Sequence, residues 1–297
     1  MHSTPLPLRH VLLAIAVVAV WGTNFVVIKF ALGTLPPLLF AALRFALAFL
    51  PAALFVARPA VRWRTLATYG MLIGAGQFGL LFIAMRADIT PGLASLVIQT
   101  QVFYTIGLAM WLNRERLRGF QVFALLLAAG GLALIAAHTD GSTTPLGLAL
   151  TLLAALCWAG GNGVARSAGR IDMLGFMVWS SLFALPPLLL CSLLLEGPQA
   201  IAAGLAHAGP GVWAAVLWQS LGNTLFGYGA WAWLLARHPA ATITPMALLV
   251  PVFGMTASAW WLNEALPGWK MAAAALVLAG LALNVLWPRV VAWIKAS

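Results

Sequence analysis

The chain has 297 residues, of which 63% are hydrophobic and only 7% charged, and its mean hydropathy is +0.99. Soluble domains carry about 25% charged residues, so this composition excludes a soluble globular protein and indicates an integral membrane protein. The formal net charge of +10 comes from basic residues spread along the loops, which excludes a single nucleic-acid-binding patch.

Ten apolar segments follow one another along the chain, separated by charges, Pro, Gly and Asp. Each is long enough to cross a hydrocarbon core about 30 Å thick, because an α-helix rises about 1.5 Å per residue. Their residues do not alternate between apolar and polar, which favours helices over a β-barrel. Short connections are predicted everywhere except at 196–209, and the predicted spans are 9–32, 36–57, 66–86, 91–112, 118–137, 144–165, 173–195, 210–236, 240–262 and 267–288.

The basic residues predict the orientation of these spans. With the N-terminus in the cytoplasm, only Lys29, Arg86 and Lys270 fall at the outer side. Cytoplasmic loops are enriched in Lys and Arg, so this bias predicts an even number of spans with both termini inside. The inner loops and tails then hold Arg9, Arg58, Arg62, Arg64, Arg114, Arg116, Arg118, Arg166, Arg170, Arg237, Arg289 and Lys295.

Two stretches of the chain match each other in order. "WGTNFVVIK" at 21–29 pairs with "WAGGNGVAR" at 158–166, so that Trp21 matches Trp158 and Lys29 matches Arg166. Such ordered matches predict an internal duplication, with one repeat over 1–140 and another over 141–297. Further pairs are "RFALAFLP" (44–51) with "WSSLFALP" (179–186), "QVF" (101–103) with "PVF" (251–253), "WLNRE" (111–115) with "WLNE" (261–264), and "GGLAL" (130–134) with "AGLAL" (279–283).

The number of spans in each repeat has a geometric consequence. Each repeat contains five spans, and because five is odd, the two repeats are expected to cross the membrane in opposite senses. The predicted fold is therefore all-α, with ten transmembrane helices arranged as two five-helix inverted-topology repeats. Transporters built in this way place the substrate site at the repeat interface near the middle of the membrane.

The motifs as a set resemble the drug/metabolite transporter superfamily, and within it the ten-helix EamA type. The resemblance covers nearly the whole chain and rests on "WGTNFVVIK", Arg44, the "PVF…WLNE" region and the two Gly-containing endings. The first repeat departs from the pattern by having Gln101 where the second has Pro251. Within the family the chain is most similar to amino-acid exporters of the YddG type. The resemblance implies ATP-independent export of small metabolites across the bacterial inner membrane.

Uncharged polar side chains lie inside the apolar spans, where lipid offers no hydrogen-bond partner. We therefore expect them to face other helices or a polar cavity that suits neutral or zwitterionic solutes. The alternative for each is a hydrogen bond that only holds two helices together, at roughly 0.6–2 kcal/mol. The matched tryptophans are expected to form a wall or gate of the cavity, or to serve packing alone. The candidate substrate-binding residues are Trp21, Asn24, Gln77, Gln101, Tyr104, Trp158, Asn162, Gln219, Asn223 and Tyr228.

Two charged side chains in the spans are candidates for gating or charge recognition. Lys29 is near a helix end and is expected to anchor there rather than to contact substrate. Arg44 lies about eight residues into its span and requires a carbonyl or anionic partner. It either holds a substrate carboxylate or fixes helix ends. No Asp, Glu or His falls in the middle of a span, which predicts export driven by the substrate gradient with little dependence on the proton motive force.

The leading interpretation is an exporter of amino acids or similar small molecules, working by alternating access in the lipid bilayer as a monomer, with an oligomer as the alternative. For such an exporter we expect no catalytic residues, no metal site and no cofactor. We also expect neither nucleic acid nor ATP as a partner. One alternative is a transporter of the same fold for drugs or nucleotide sugars, although a nucleotide sugar calls for more positive charge within the spans than Arg44 supplies. A membrane-embedded enzyme is disfavoured, because the sequence has no HExxH motif, carboxylate pair within the spans, or nucleophile–base set.

The orientation is testable by labelling. Single cysteines at positions 140 and 203, in a background without Cys157 and Cys191, are expected to react with an impermeant thiol reagent from the periplasm. A cysteine at position 116 is expected to react only after the membrane is permeabilised, because the positive-inside rule puts it in the cytoplasm. The reverse labelling pattern would contradict the predicted orientation.

Overall fold

The structure is a computed structural model that describes residues 7–113, 118–139, 142–169, 171–238 and 240–294. Over these residues the chain is all-helical and contains no β-strand, which confirms the all-α part of the predicted fold. The helices of the first half are α1 Leu8–Leu32, α2 Pro37–Phe49, α3 Trp63–Ala87, α4 at 91–113 and α5 Gly119–Ala137.

The second half begins after the short connection that follows α5. Thr144 and Asp172 cap the first two helices of this half, because their side chains accept hydrogen bonds from the backbone N–H groups of Gly147 and of Leu174 and Gly175, respectively. The helices are α6 Pro145–Ser167, α7 Met173–Cys191, α8 Gly197–His207, α9 at 210–237, α10 at 240–262 and α11 Gly268–Ile294.

Two of the predicted segments differ from the helices observed. The span predicted over 36–57 ends as an α-helix at Phe49 and is followed by a 3-10 turn, Ala52–Leu54. Pro51 lies between them and has no N–H with which to continue the helix. The predicted connection at 196–209 is mostly the helix α8. A π-helical segment, Ser192–Glu196, follows α7, and α8 begins at Gly197, whose φ of 83° is left-handed and favours glycine.

Helical irregularities occur at corresponding places in the two halves. A π-helical segment, Met71–Gly79, interrupts α3, and another, Trp218–Phe226, interrupts α9. Likewise a 3-10 segment, Ile98–Thr100, lies in α4, and Thr244–Leu249 lies in α10. Such segments widen or tighten the backbone spiral and often mark functional sites. Hydropathy and charge did not predict any of them.

Eight helical stretches of the described chain are long and apolar enough to cross a membrane. The helices α4 and α9 are not among these eight, and both carry several of the polar residues identified in the sequence. The eight are α1, α2 with its 3-10 turn, α3, α5, α6, α7 continued through α8, α10 from Thr244, and α11 as far as Trp287.

The helix contacts correspond between the two halves. Helix α1 packs against α10, and its counterpart α6 packs against α4, the counterpart of α10. The pairs α2 with α7 and α5 with α11 each join a helix to its own counterpart. These contacts bring both halves into one hydrophobic core instead of two separate domains.

The contact between α5 and α11 is built on a matched pair of glycines. A Cβ atom at Gly131 would lie 2.9 Å from the carbonyl oxygen of Ala273, and one at Gly280 would lie 2.6 Å from the carbonyl oxygen of Ala124. Each glycine therefore meets a residue that comes seven positions before the other glycine in the sequence. Two helices that meet in this way run antiparallel, and their backbones approach as closely as glycine allows.

Replacement of Gly131 by alanine is expected to lower the free energy of unfolding by about 1–3 kcal/mol, because the new methyl group meets the backbone of α11. The adjacent Gly130 is the matched control, since a Cβ there would find only Leu276 Cδ1 at 4.0 Å. Gly130→Ala is expected to be neutral or stabilising, because alanine favours a helix over glycine. The measurement is the thermal unfolding midpoint in detergent, and equal midpoints for the two variants would contradict the close contact.

Candidate functional site

A reciprocal pair of buried amide side chains joins the two halves of the chain. Asn24 of α1 donates from Nδ2 to Gln219 Oε1 at 3.4 Å, and Gln219 donates from Nε2 to Asn24 Oδ1 at 2.8 Å. Both residues are buried, and Gln219 lies in the π-helical segment of α9. Because the donor of each amide meets the acceptor of the other, the pair avoids the cost of unpaired polar groups in an apolar interior.

One helical turn away, Trp21 continues the contact between α1 and α9. Its indole Nε1 donates to the backbone carbonyl of Asn223 at 3.2 Å. Its ring centroid lies 5.6 Å from that of Tyr228 and 5.2 Å from that of Trp231. Gly227 makes room for the indole, since a Cβ atom there would lie 2.4 Å from Trp21 Nε1. The structure thus brings together five of the predicted site residues: Trp21, Asn24, Gln219, Asn223 and Tyr228.

A second polar cluster joins α6 to α4. Asn162 donates from Nδ2 to Gln101 Oε1 at 2.9 Å and to Thr105 Oγ1 at 3.4 Å, and these side chains are half-buried. The 3-10 segments of α4 and α10 are also joined, because Gln99 Nε2 donates to the carbonyl oxygen of Ala247 at 3.3 Å. The asparagines of the two paired stretches, which are offset by one position, bind different helices: Asn24 binds α9, whereas Asn162 binds α4.

The other predicted residues lie outside these hydrogen-bonded pairs. Gln77 is buried in the π-helical segment of α3, and Tyr104 and Trp158 are half-buried on α4 and α6. One cleft of about 140 Å³ lies between α4, α5 and α11, and none of the predicted site residues lines it. Its mainly apolar lining consists of Phe103, Ile106, Gly107, Met110, Gln121, Leu125 and Asn284.

Arg44 of α2 is completely buried, yet its partners differ from those expected. In place of a carbonyl or an anion, its Nη2 donates to the hydroxyl of Thr224 at 3.1 Å. Its guanidinium carbon lies 3.6 Å from the ring centroid of Phe78, a cation–π contact that partly replaces hydration. Ser220 donates its hydroxyl to the Arg44 carbonyl oxygen at 3.0 Å, so α2 is bound to the π-helical segment of α9 at two points.

Lys29 caps the C-terminal end of a neighbouring helix, α3. Its Nζ donates to the carbonyl oxygens of Met85 and Arg86, both at 2.9 Å, in the last turn of α3. The last carbonyls of a helix have no partner within that helix and carry its negative dipole end, so a lysine there is favourable. The ammonium group is therefore engaged with the backbone.

Glu264, in the connection between α10 and α11, forms a cluster that the sequence did not predict. Its carboxylate accepts hydrogen bonds from Thr90 Oγ1 at 2.5 Å, the Gly92 N–H at 2.9 Å and the Ser258 hydroxyl, and pairs with Lys270 at 3.1 Å. Burial raises the pKa of this carboxyl, but the hydrogen bonds and Lys270 outweigh burial, so its pKa lies below the usual value.

This cluster lies at the N-terminal end of α4. Thr90 and Gly92 open α4, so Glu264 binds the positive N-terminal end of that helix and joins it to α10 and α11. Glu196 does the same for α2 by accepting from the N–H groups of Leu38 and Leu39 at 2.6 and 3.1 Å. The "WLNE" match was the only available signal for Glu264, and its counterpart Glu115 lies outside the described residues.

The EamA-like transporter family matches residues 8–137 and, a second time, residues 145–286. The chain belongs to the EamA-like transporter family. The resemblance drawn from the matched tryptophan stretches is confirmed, and an EamA unit occurs twice in one chain.

Relatives of this EamA chain carry related names. A protein of Salmonella typhimurium named as a probable amino-acid metabolite efflux pump is 43% identical over 284 residues, covering 94% of this chain and 95% of its own. A protein of the same name from Escherichia coli is 39% identical over 290 residues, covering 96% of each. A protein of Streptantibioticus cattleyicolor named as a probable terminal-alkyne amino-acid exporter is 25% identical, covering 77% of this chain and 75% of its own.

A solved crystal structure also matches, with a TM-score of 0.64 and 20% identity, covering 94% of this chain and 96% of its own. At that identity the likeness supports the fold alone. Family membership and the apolar helices together establish a multi-pass membrane protein, and the family and the relatives' names point to a transporter rather than an enzyme.

The backbone contacts of Lys29 lead to a prediction about stability. Lys29→Met is expected to lower the free energy of unfolding by about 1–3 kcal/mol, because two charge-assisted hydrogen bonds to the end of α3 are lost. Arg166→Met is the matched control, since Arg166 holds the corresponding place in the second half and is exposed. The measurement is the thermal unfolding midpoint in detergent.

The same variant tests energy coupling. In liposomes with an imposed pH gradient, wild type and Lys29→Met are expected to behave alike, with no accumulation of substrate against its own gradient. If the pH gradient alone drives accumulation by the wild type, and Lys29→Met abolishes it, Lys29 is a coupling site and the expectation is wrong.

Proposed function

We propose that this chain is a secondary transporter that exports small metabolites, chiefly amino acids, across the bacterial inner membrane by alternating access through a central polar cavity. The observation that carries the proposal is the buried contact of Asn24 with Gln219, in which neutral polar groups of the two halves meet inside the apolar interior. The names of the Salmonella typhimurium and Escherichia coli relatives support amino acids as the substrate class.

The proposed topology has ten transmembrane helices in two inverted five-helix repeats. It counts α4 and α9 as spans in addition to the eight apolar stretches, and separates α8 from α7 as a helix at the outer surface. The antiparallel contact of α5 with α11 through Gly131 and Gly280 supports opposite senses for the two repeats. The bias of Lys and Arg supports cytoplasmic termini and the inner membrane as the location.

The proposed cavity forms where the polar pairs separate. An amide pair exchanges its hydrogen bonds for those of water or a polar solute at small net cost, typically about 0.5–1.5 kcal/mol per bond. Separation of Asn24 from Gln219 and of Asn162 from Gln101 exposes neutral donors and acceptors, flanked by the ring of Trp21. Such a lining suits zwitterions, whose two charges need hydrogen bonds but no net counter-charge.

Coupling to a proton gradient is not part of the proposed mechanism. A proton-coupled carrier needs a group that titrates within the membrane while exposed to each side in turn. The carboxylates that the structure describes, those of Asp88, Asp172, Glu196 and Glu264, all bind at or beside helix ends. In the proposed mechanism, export is driven by the substrate's own gradient. The proposed carrier uses no ATP and works as a monomer.

Counterflow of the twenty common amino acids into liposomes that contain the purified protein tests this proposal. At least one amino acid is expected to exchange faster than in protein-free liposomes. Apolar replacements at five predicted cavity residues, Gln77, Tyr104, Trp158, Asn162 and Gln219, are expected to slow that exchange about tenfold or more while the protein still folds.

Gln199→Leu, an exposed glutamine on α8, is the matched control and is expected to leave exchange unchanged. Normal exchange by all five cavity variants would leave the polar groups with a purely structural role. Exchange of drugs or nucleotide sugars, and of no amino acid, would favour a different substrate class for the same fold.

A further inference from the structure

Arg44 is a buried cation with unused hydrogen-bonding capacity. Its side chain is 0% exposed, and only Nη2 is bonded, to Thr224. Neither Nε nor Nη1 has a hydrogen-bond partner among the residues that the structure describes. A guanidinium carries its donors in a rigid plane, so most of the N–H groups of Arg44 point at atoms that cannot accept them. Buried polar groups are nearly always paired, and a charged group left unpaired is especially costly.

The protein does not supply a counter-charge for Arg44 from the carboxylates that the structure describes. Asp88 accepts from Thr144, and Asp172 caps its own helix. Glu196 binds the start of α2, and Glu264 pairs with Lys270. Around the guanidinium are instead the Phe78 ring, the Phe45 ring with its centroid at 5.1 Å, and the Thr224 hydroxyl. The groups around Arg44 are therefore uncharged, and its guanidinium is the one fixed charge among them.

Gln77, which is next to Phe78 in the chain, has the complementary character. Gln77 precedes Phe78 in the π-helical segment of α3, is buried, and its Oε1 accepts no hydrogen bond from the described residues. Arg44 has unpaired donors and lies over the Phe78 ring, and Gln77, the residue before Phe78, has an unpaired acceptor. The two charged ends of a zwitterion require one group of each kind. A carboxylate fits guanidinium donors, and an ammonium group fits an amide oxygen.

From this arrangement we propose that Arg44 binds the α-carboxylate of the transported amino acid, with Gln77 Oε1 as an acceptor for its ammonium group. The inference rests on the proposed function and goes further, because it makes a free carboxylate a requirement for recognition. An uncharged amide or a decarboxylated amine of the same side chain would leave Arg44 without its counter-charge, and so bind less well.

The experiment compares ligands that differ only at the carboxyl group. L-Leucine and L-leucinamide are one such pair, and the same pair is made for whichever amino acid exchanges fastest. Binding is measured as the ligand-dependent rise in unfolding temperature of the full-length protein in detergent, where leak of the amide through a bilayer plays no part. The wild type is expected to bind the acid at least tenfold more tightly than the carboxamide.

Variants separate recognition from a structural role. Arg44→Gln is expected to lose this discrimination, with weaker binding of the acid and little change for the carboxamide. Arg44→Lys keeps the charge but not the planar donors, and is expected to recover part of the preference. Arg166→Gln, at an exposed arginine, is the control and is expected to retain the full ratio. A purely structural Arg44 would lower stability or binding of both ligands without changing their ratio.

The outcomes distinguish this inference from the function on which it rests. Wild-type exchange of amino acids together with equal binding of acid and carboxamide overturns the role of Arg44 alone. An Arg44→Gln protein that folds and keeps the wild-type ratio overturns it as well. Absence of amino-acid exchange and binding in the wild type overturns both. If Arg44→Gln does not fold, the wild-type comparison of the two ligands still decides.

Discussion

A hydrocarbon environment provides no hydrogen bonds, and the arrangement of this molecule depends on that constraint. A polar group placed within the spans is stabilised only by a partner inside the protein or by a polar cavity. Asn24 and Gln219 satisfy each other, Trp21 bonds a backbone carbonyl, and Arg44 bonds the Thr224 hydroxyl. These partners lie about two hundred residues apart in sequence, so satisfying the polar groups also joins the first half of the chain to the second.

The contacts between the halves are of two physical kinds. At α5 and α11, Gly131 and Gly280 bring backbones into direct contact, and neither water nor a solute can replace such close packing. Between α1 and α9, amide groups form hydrogen bonds whose net value is small, because water or a polar solute can replace each partner. The glycine contact is therefore suited to a constant scaffold, and the amide contact to a surface that opens and closes.

Several of the charged side chains bind the ends of helices. Glu264 and Glu196 bind the N-terminal ends of α4 and α2, and Lys29 binds the C-terminal end of α3. Each pairing satisfies backbone groups that a helix leaves unbonded and opposes the helix dipole. Arg44 is different, because it is buried away from any described carboxylate and keeps two nitrogens unpaired. Among the residues described, Arg44 is the only charged side chain in the interior that binds neither a helix end nor an opposite charge. It is therefore the one best suited to bind a charged ligand.

The sequence by itself determined the membrane class, the all-helical fold, the approximate positions of the apolar helices and the duplication, and it selected the polar residues of the candidate site. These properties follow from hydropathy, composition and local spacing, which act over one helix at a time. The partners of Asn24 and Asn162, the carbonyls bound by Lys29 and the cluster around Glu264 came only from the tertiary structure, as did the π-helical segments and α8. Such features depend on how each helix is rotated and on which distant helix packs against it, and hydropathy specifies neither.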